Sequence, residues 1–95
     1  DLQEVAVIDG LFIAINKTRI TQNFVKDIDS KHMYDIAFCL ANLTDKNNKY
    51  KIGVTTNIRI AHNSIGELDE SWYKAREQVN EMFGKFYPID VTKDK

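Results

Sequence analysis

The stretch Ile65 to Phe86, IGELDESWYKAREQVNEMFGKF, decides how this chain is read. Within it Ile65, Leu68, Trp72, Ala75, Val79, Met82 and Phe86 recur at alternating steps of three and four. Such spacing places all seven on one face of an α-helix, so the stripe predicts a helix over 65–86 with one buried side. Ser64 followed by Glu67 has the form of a capping box at its start, and Gly84 and Pro88 supply its stop. At 1.5 Å per residue this helix would be about 33 Å long, enough to cross a small sheet. The stripe falls short of the roughly three to four heptads of a coiled coil, so packing on a sheet is expected.

Upstream the pattern reads as strands. Glu4 to Ile8 and Leu11 to Asn16 are apolar runs separated by Asp9-Gly10, a hairpin signal because both positions of a type I′ turn need φ > 0. One long strand with a glycine bulge is the rival. Arg19 to Val25 alternates less cleanly and reads as a strand near an edge. After a polar loop over 26–32, Tyr34 to Leu43 forms another largely apolar run, read as a strand that includes Cys39, and Asp45 to Lys49 follows as a turn. Tyr50 to Ile60 alternates with period two: Tyr50, Ile52, Val54, Thr56, Ile58 and Ile60 point one way, Lys51, Gly53, Thr55, Asn57 and Arg59 the other. The expected fold is therefore α+β, a mostly antiparallel sheet of about five strands against one long C-terminal helix over 65–86.

Composition bounds the function. The chain has 95 residues, 43% hydrophobic and 28% charged, which suits one domain over 1–95 with a single core. Beginning at Asp1 rather than methionine, it is expected to be processed or excised from a longer chain. The net charge of −1 gives no basic excess for nucleic acid or anionic membranes, and no run approaches the ~18 apolar residues of a membrane span. The single cysteine, Cys39, forms no internal disulfide and reads as a small buried thiol.

No constellation fixes a chemistry. Glu67, Glu70, Lys74, Glu77, Glu81 and Lys85 fall away from the stripe and read as a solvated helix face. Asp27, Asp29 and Asp35 lack the glycine and terminal glutamate of an EF-hand loop. His32 and His62 have no partner at a zinc spacing, and Ser30, Ser64 and Ser71 lack a nucleophile-elbow context. No cofactor, metal or catalytic residue is expected.

Tyr50-Lys51-Ile52-Gly53-Val54-Thr55-Thr56-Asn57, after an apolar run and a short polar turn, resembles the second half of the GIY-YIG nuclease signature. The resemblance implies metal-dependent DNA cleavage, with Tyr50 as the second tyrosine and Glu77 as the metal ligand. The chain departs from that family where Tyr34-Asp35-Ile36 or Phe38 stands in place of Gly-Ile-Tyr. Arg59 falls in the strand pattern rather than on the following helix. The residues favour a non-catalytic protein-interaction or regulatory module, acting by self-association or partner docking on its sheet. Its binding row is Lys51, Thr55, Asn57 and Arg59, with His62 just beyond. Nucleic-acid binding without catalysis, through Lys49, Tyr50, Lys51 and Arg59, is the third alternative.

Overall fold

The computed structural model describes residues 2–8, 12–26, 28, 32–55, 57 and 68–92. In chain order these form β1 (Leu2–Val5), α1 (Tyr34–Leu43), β2 (Ile52–Thr55) and α2 (Glu70–Phe83), which runs on into a 3-10 turn over Gly84–Phe86. The class is α+β with an antiparallel sheet.

Among the described residues the sheet has two strands, not the five expected. β1 pairs antiparallel with β2 in the register Leu2↔Thr55, Gln3↔Val54, Glu4↔Gly53 and Val5↔Ile52. Val5, Ile52, Val54 and Thr55 give it the β-branched content that a pleated surface favours. Side chains alternate across a strand, so Leu2, Glu4, Gly53 and Thr55 share one face, and Gln3, Val5, Ile52 and Val54 the other. Gly53 makes room for its neighbour: a Cβ there would lie 2.9 Å from Leu2 Cδ1. The other expected strands are absent from the described residues. Residues 12–16 and 19–25 are turn and irregular chain, and β2 is the short described part of the expected Tyr50–Ile60 strand. The Asp9-Gly10 hairpin and residues 58–60 lie outside the described residues.

The run Tyr34–Leu43 is a helix, which corrects its reading as a strand. Its two-sided apolar character suits a buried helix as well as a buried strand. Composition then decides: Ile36 is its one β-branched residue, while Ala37, Leu40, Ala41 and Leu43 are strong helix formers. The helix starts at an unusual cap. Met33 holds a left-handed conformation with φ 65°, and its carbonyl accepts from the Ala37 N–H at 2.8 Å. At the far end both the N–H and the hydroxyl of Thr44 donate to the Leu40 carbonyl, at 2.9 and 2.7 Å. Asp45 then closes the expected turn by accepting from the Asn47 N–H at 2.9 Å.

The C-terminal helix is shorter than the stripe implied, and this too is a correction. Leu68 and Asp69 are not helical, and α2 begins at Glu70, at about 21 Å for its 14 residues. Asp69 is the N-cap: its carboxylate accepts from the Trp72 N–H at 3.1 Å and the Ser71 hydroxyl at 2.5 Å. The Ser64–Glu67 box and Ile65 lie outside the described residues. The buried face holds Ala75, Val79 and Phe83, a row at steps of four, whereas Leu68 is 60% exposed and Phe86 is exposed as well. At Gly84 the helix tightens into the 3-10 turn, and Tyr87-Pro88 follows with a cis peptide bond.

The core lies between the two helices. Ala37 and Leu40 of α1 cluster with Ala75, Val79 and Phe83 of α2 and with Ile28. Ala37 and Ala75 are fully buried, and two methyl side chains permit close approach of the helices.

The Asp69 cap predicts a pH dependence. Hydrogen bonds from the Ser71 hydroxyl and then the Trp72 N–H hold its carboxyl below the ordinary aspartate value, with His32 acting in the same direction. A depressed folded-state pKa contributes stability that is complete above the unfolded value of about 3.9 and is lost as pH falls through the lower folded value. Asp69→Asn keeps an acceptor but does not titrate. Urea midpoints of the variant should therefore fall less than wild type over that acid range, and parallel curves would remove Asp69 from the acid response.

Candidate functional site

A cleft of about 340 Å³ opens where β2 starts, between α1 and the segment 13–20. Its apolar lining includes Ile8, Ile13, Ile20, Phe38, Leu43 and Ile52. Cys39 also lines it, from the helix rather than from the expected strand, and is 2% exposed, as the sequence suggested. Burial pushes the Cys39 thiol above its ordinary pKa; the Ile8 backbone opposes this through a hydrogen bond, and the Asp35 charge adds to the rise. A protonated thiol is a poor nucleophile, so Cys39 is wall rather than reactive centre.

The cleft owes its shape to Asn42. This buried side chain accepts at Oδ1 from the N–H groups of Thr21 (2.9 Å) and Gln22 (3.0 Å), and from Asn48 Nδ2 (3.2 Å). Its own Nδ2 donates to the carbonyls of Gln22 and Phe38, both at 3.0 Å. One amide thus ties the loop to α1 and, through Asn48, to the chain entering β2, since Asn48 Oδ1 accepts from the Tyr50 N–H at 2.9 Å. Gln22 adds a donation to Asp45 at 2.9 Å, and Phe24 stacks on Phe38 with ring centroids 4.4 Å apart. At the mouth the Arg19 guanidinium lies 4.4 Å above the centre of the Tyr50 ring. The turn 16–19 sets that arginine: the Arg19 N–H donates to the Asn16 carbonyl at 2.9 Å, and the Thr18 hydroxyl to Asn16 Oδ1 at 2.7 Å.

The binding row read from the sequence is placed in part. Lys51 stands just before β2, Thr55 is its last residue, and Asn57 follows. Lys51 Nζ lies 3.5 Å from Glu4 Oε1 across the ribbon, an exposed pair of the kind worth about 0–1 kcal/mol. Thr55 Oγ1 accepts from the Asn57 N–H at 3.2 Å, a local turn at the end of β2. Arg59 and His62 lie outside the described residues. Asn42 and Arg19 were missed by sequence reasoning, because each acts on residues distant in the chain and neither belongs to a spaced motif.

A second surface group sits on α2. The rings of Trp72 and Tyr73 meet edge to face at 5.0 Å, and Arg76 lies 5.5 and 5.4 Å from their centres. His32 Nε2, from the segment before α1, is 3.8 Å from Asp69 Oδ1 at the start of α2.

Among the described residues no three of His, Cys, Asp and Glu gather around a point that could hold a metal ion, and no helix is long and apolar enough to cross a membrane. Asp27 and Asp29 lie outside the described residues. The first half of the GIY-YIG pattern falls on helix α1 rather than a strand, Tyr50 precedes β2, and Glu77 is exposed on α2. No family model matches the chain, and no curated protein or solved structure matches it.

Proposed function

We propose that this chain is a non-catalytic docking module that pairs with a second copy of itself through an open edge of the β1–β2 ribbon. The observation that carries this reading is the ribbon itself: among the described residues no third strand pairs with either of its two. An isolated two-stranded ribbon is marginal in water, and its outer edges present unpaired N–H and C=O groups that invite another strand. Pairing two ribbons edge to edge gives a four-stranded sheet by a symmetric contact, the commonest form of self-association. Leu2, 74% exposed, and Val54, 42% exposed, stand on opposite faces of the ribbon, so both faces have apolar surface to bury. The net charge of −1 sets little repulsion between copies. Thr55 and Asn57 supply polar groups at the end of β2 that help fix the register.

Sedimentation equilibrium tests this. The wild type should dimerise reversibly. Val54→Lys, which adds a charge beside the edge in both copies, should weaken association at least tenfold while changing stability by no more than about 0.5 kcal/mol. Tyr73→Ala on α2 should leave association unchanged. A monomer at every concentration overturns the reading, as does a dimer lost with Tyr73→Ala but kept with Val54→Lys. Magnesium-dependent DNA cleavage lost in Tyr50→Phe and Glu77→Ala would replace it with the nuclease reading.

A further inference from the structure

The cleft beside β2 has a property that ribbon pairing does not use. Its walls are largely aliphatic and aromatic, with Asn16, Asn42 and Asn48 as the neutral polar members, and the charged residues among its lining, Arg19 and Lys51, are both cationic and both exposed. We propose that this cleft binds a compact apolar monocarboxylate, with the hydrocarbon between Ile13, Ile20, Phe38 and Ile52 and the carboxylate at Arg19 and Lys51.

Size sets the first limit. At about 340 Å³ the cleft sits at the low end of the roughly 300–1,000 Å³ typical of small-molecule sites, which suits a short acyl chain or one substituted ring and is too small for a dinucleotide or sterol. Polarity sets the second. The buried amides in the lining, Asn42 and Asn48, are committed to each other and to backbone groups, so the interior calls for an apolar body. Charge sets the third. The Arg19 guanidinium is held over the Tyr50 ring at the mouth, and its fork of N–H donors matches a carboxylate. Lys51 is shared with Glu4 at 3.5 Å in a weak, solvent-exposed pair and can turn to a second carboxylate at little cost. A cationic ligand would meet the Arg19 charge at the mouth, with Lys51 beside it offset in part by Glu4.

Titration of the full chain with octanoate, octanol and octyltrimethylammonium, followed by amide NMR shifts, tests the assignment. Octanoate should shift Ile20, Phe38, Cys39 and Gly53 saturably. The alcohol and the cation, with the same hydrocarbon, should bind at least tenfold more weakly. The double variant Arg19→Gln, Lys51→Gln replaces exposed side chains and should lose at least tenfold in octanoate affinity while keeping the wild-type spectrum of α1 and α2. Absence of octanoate-induced shifts at millimolar concentration overturns the proposal. So do equal affinities for the three ligands, which need no variant to read, and shifts centred on β1 or on α2.

Discussion

Asn42→Leu should destabilise the folded chain by about 3 to 5 kcal/mol, because each buried donor or acceptor left unmet costs roughly 1–3 kcal/mol. Leucine keeps the branched skeleton with bulkier methyl ends, and it strands the N–H groups of Thr21 and Gln22, the amide of Asn48 and the carbonyl of Gln22, all of which meet Asn42. Against a total stability on the order of 5–15 kcal/mol, that loss brings a small domain close to unfolding at room temperature. Asn42→Asp keeps the acceptor but sets a buried carboxylate oxygen against the carbonyls of Gln22 and Phe38, so it too should destabilise the chain. Urea denaturation measures both. A loss below about 1 kcal/mol for leucine would show that water replaces Asn42 and that the loop is not anchored there.

Phe83→Ala should cost about 3 to 5 kcal/mol, and Trp72→Ala clearly less, although tryptophan is the larger side chain. The difference is one of face. Phe83 is buried in the cluster with Ala75 and Val79, whereas Trp72 is half-buried and turns toward Tyr73 and Arg76. Equal losses in the two variants would restore the face that the Trp72–Phe86 stripe implies and contradict the packing of α2 on α1.

These variants also mark where the sequence was readable. Ala75 and Val79 belong both to the periodic stripe and to the buried face, because helical spacing is a local rule that tertiary contacts leave intact. The helix start was not readable in the same way. Leu68 continues the period, so periodicity alone extends the helix past Asp69, whose carboxylate ends it by meeting the Trp72 N–H. In Tyr34–Leu43 apolar residues occupy every side, which removes the periodic signal that separates a helix from a strand; only the scarcity of β-branched residues pointed to helix. The pairing of Leu2–Val5 with Ile52–Thr55 brings together segments from opposite halves of the chain. No spacing rule encodes such a pairing. The same holds for the cleft, in which Arg19 meets Tyr50 and Asn42 meets Thr21 only after the chain has folded.

The ribbon edge is tested most directly by NMR on an equal mixture of isotope-labelled and unlabelled protein, with a filter that passes only contacts between copies. Contacts should join Leu2–Val5 or Ile52–Thr55 of one copy to the same strand of the other, and amide exchange in that strand should slow as concentration rises. A filtered spectrum empty across both strands, with amide exchange independent of concentration, would contradict docking through the sheet.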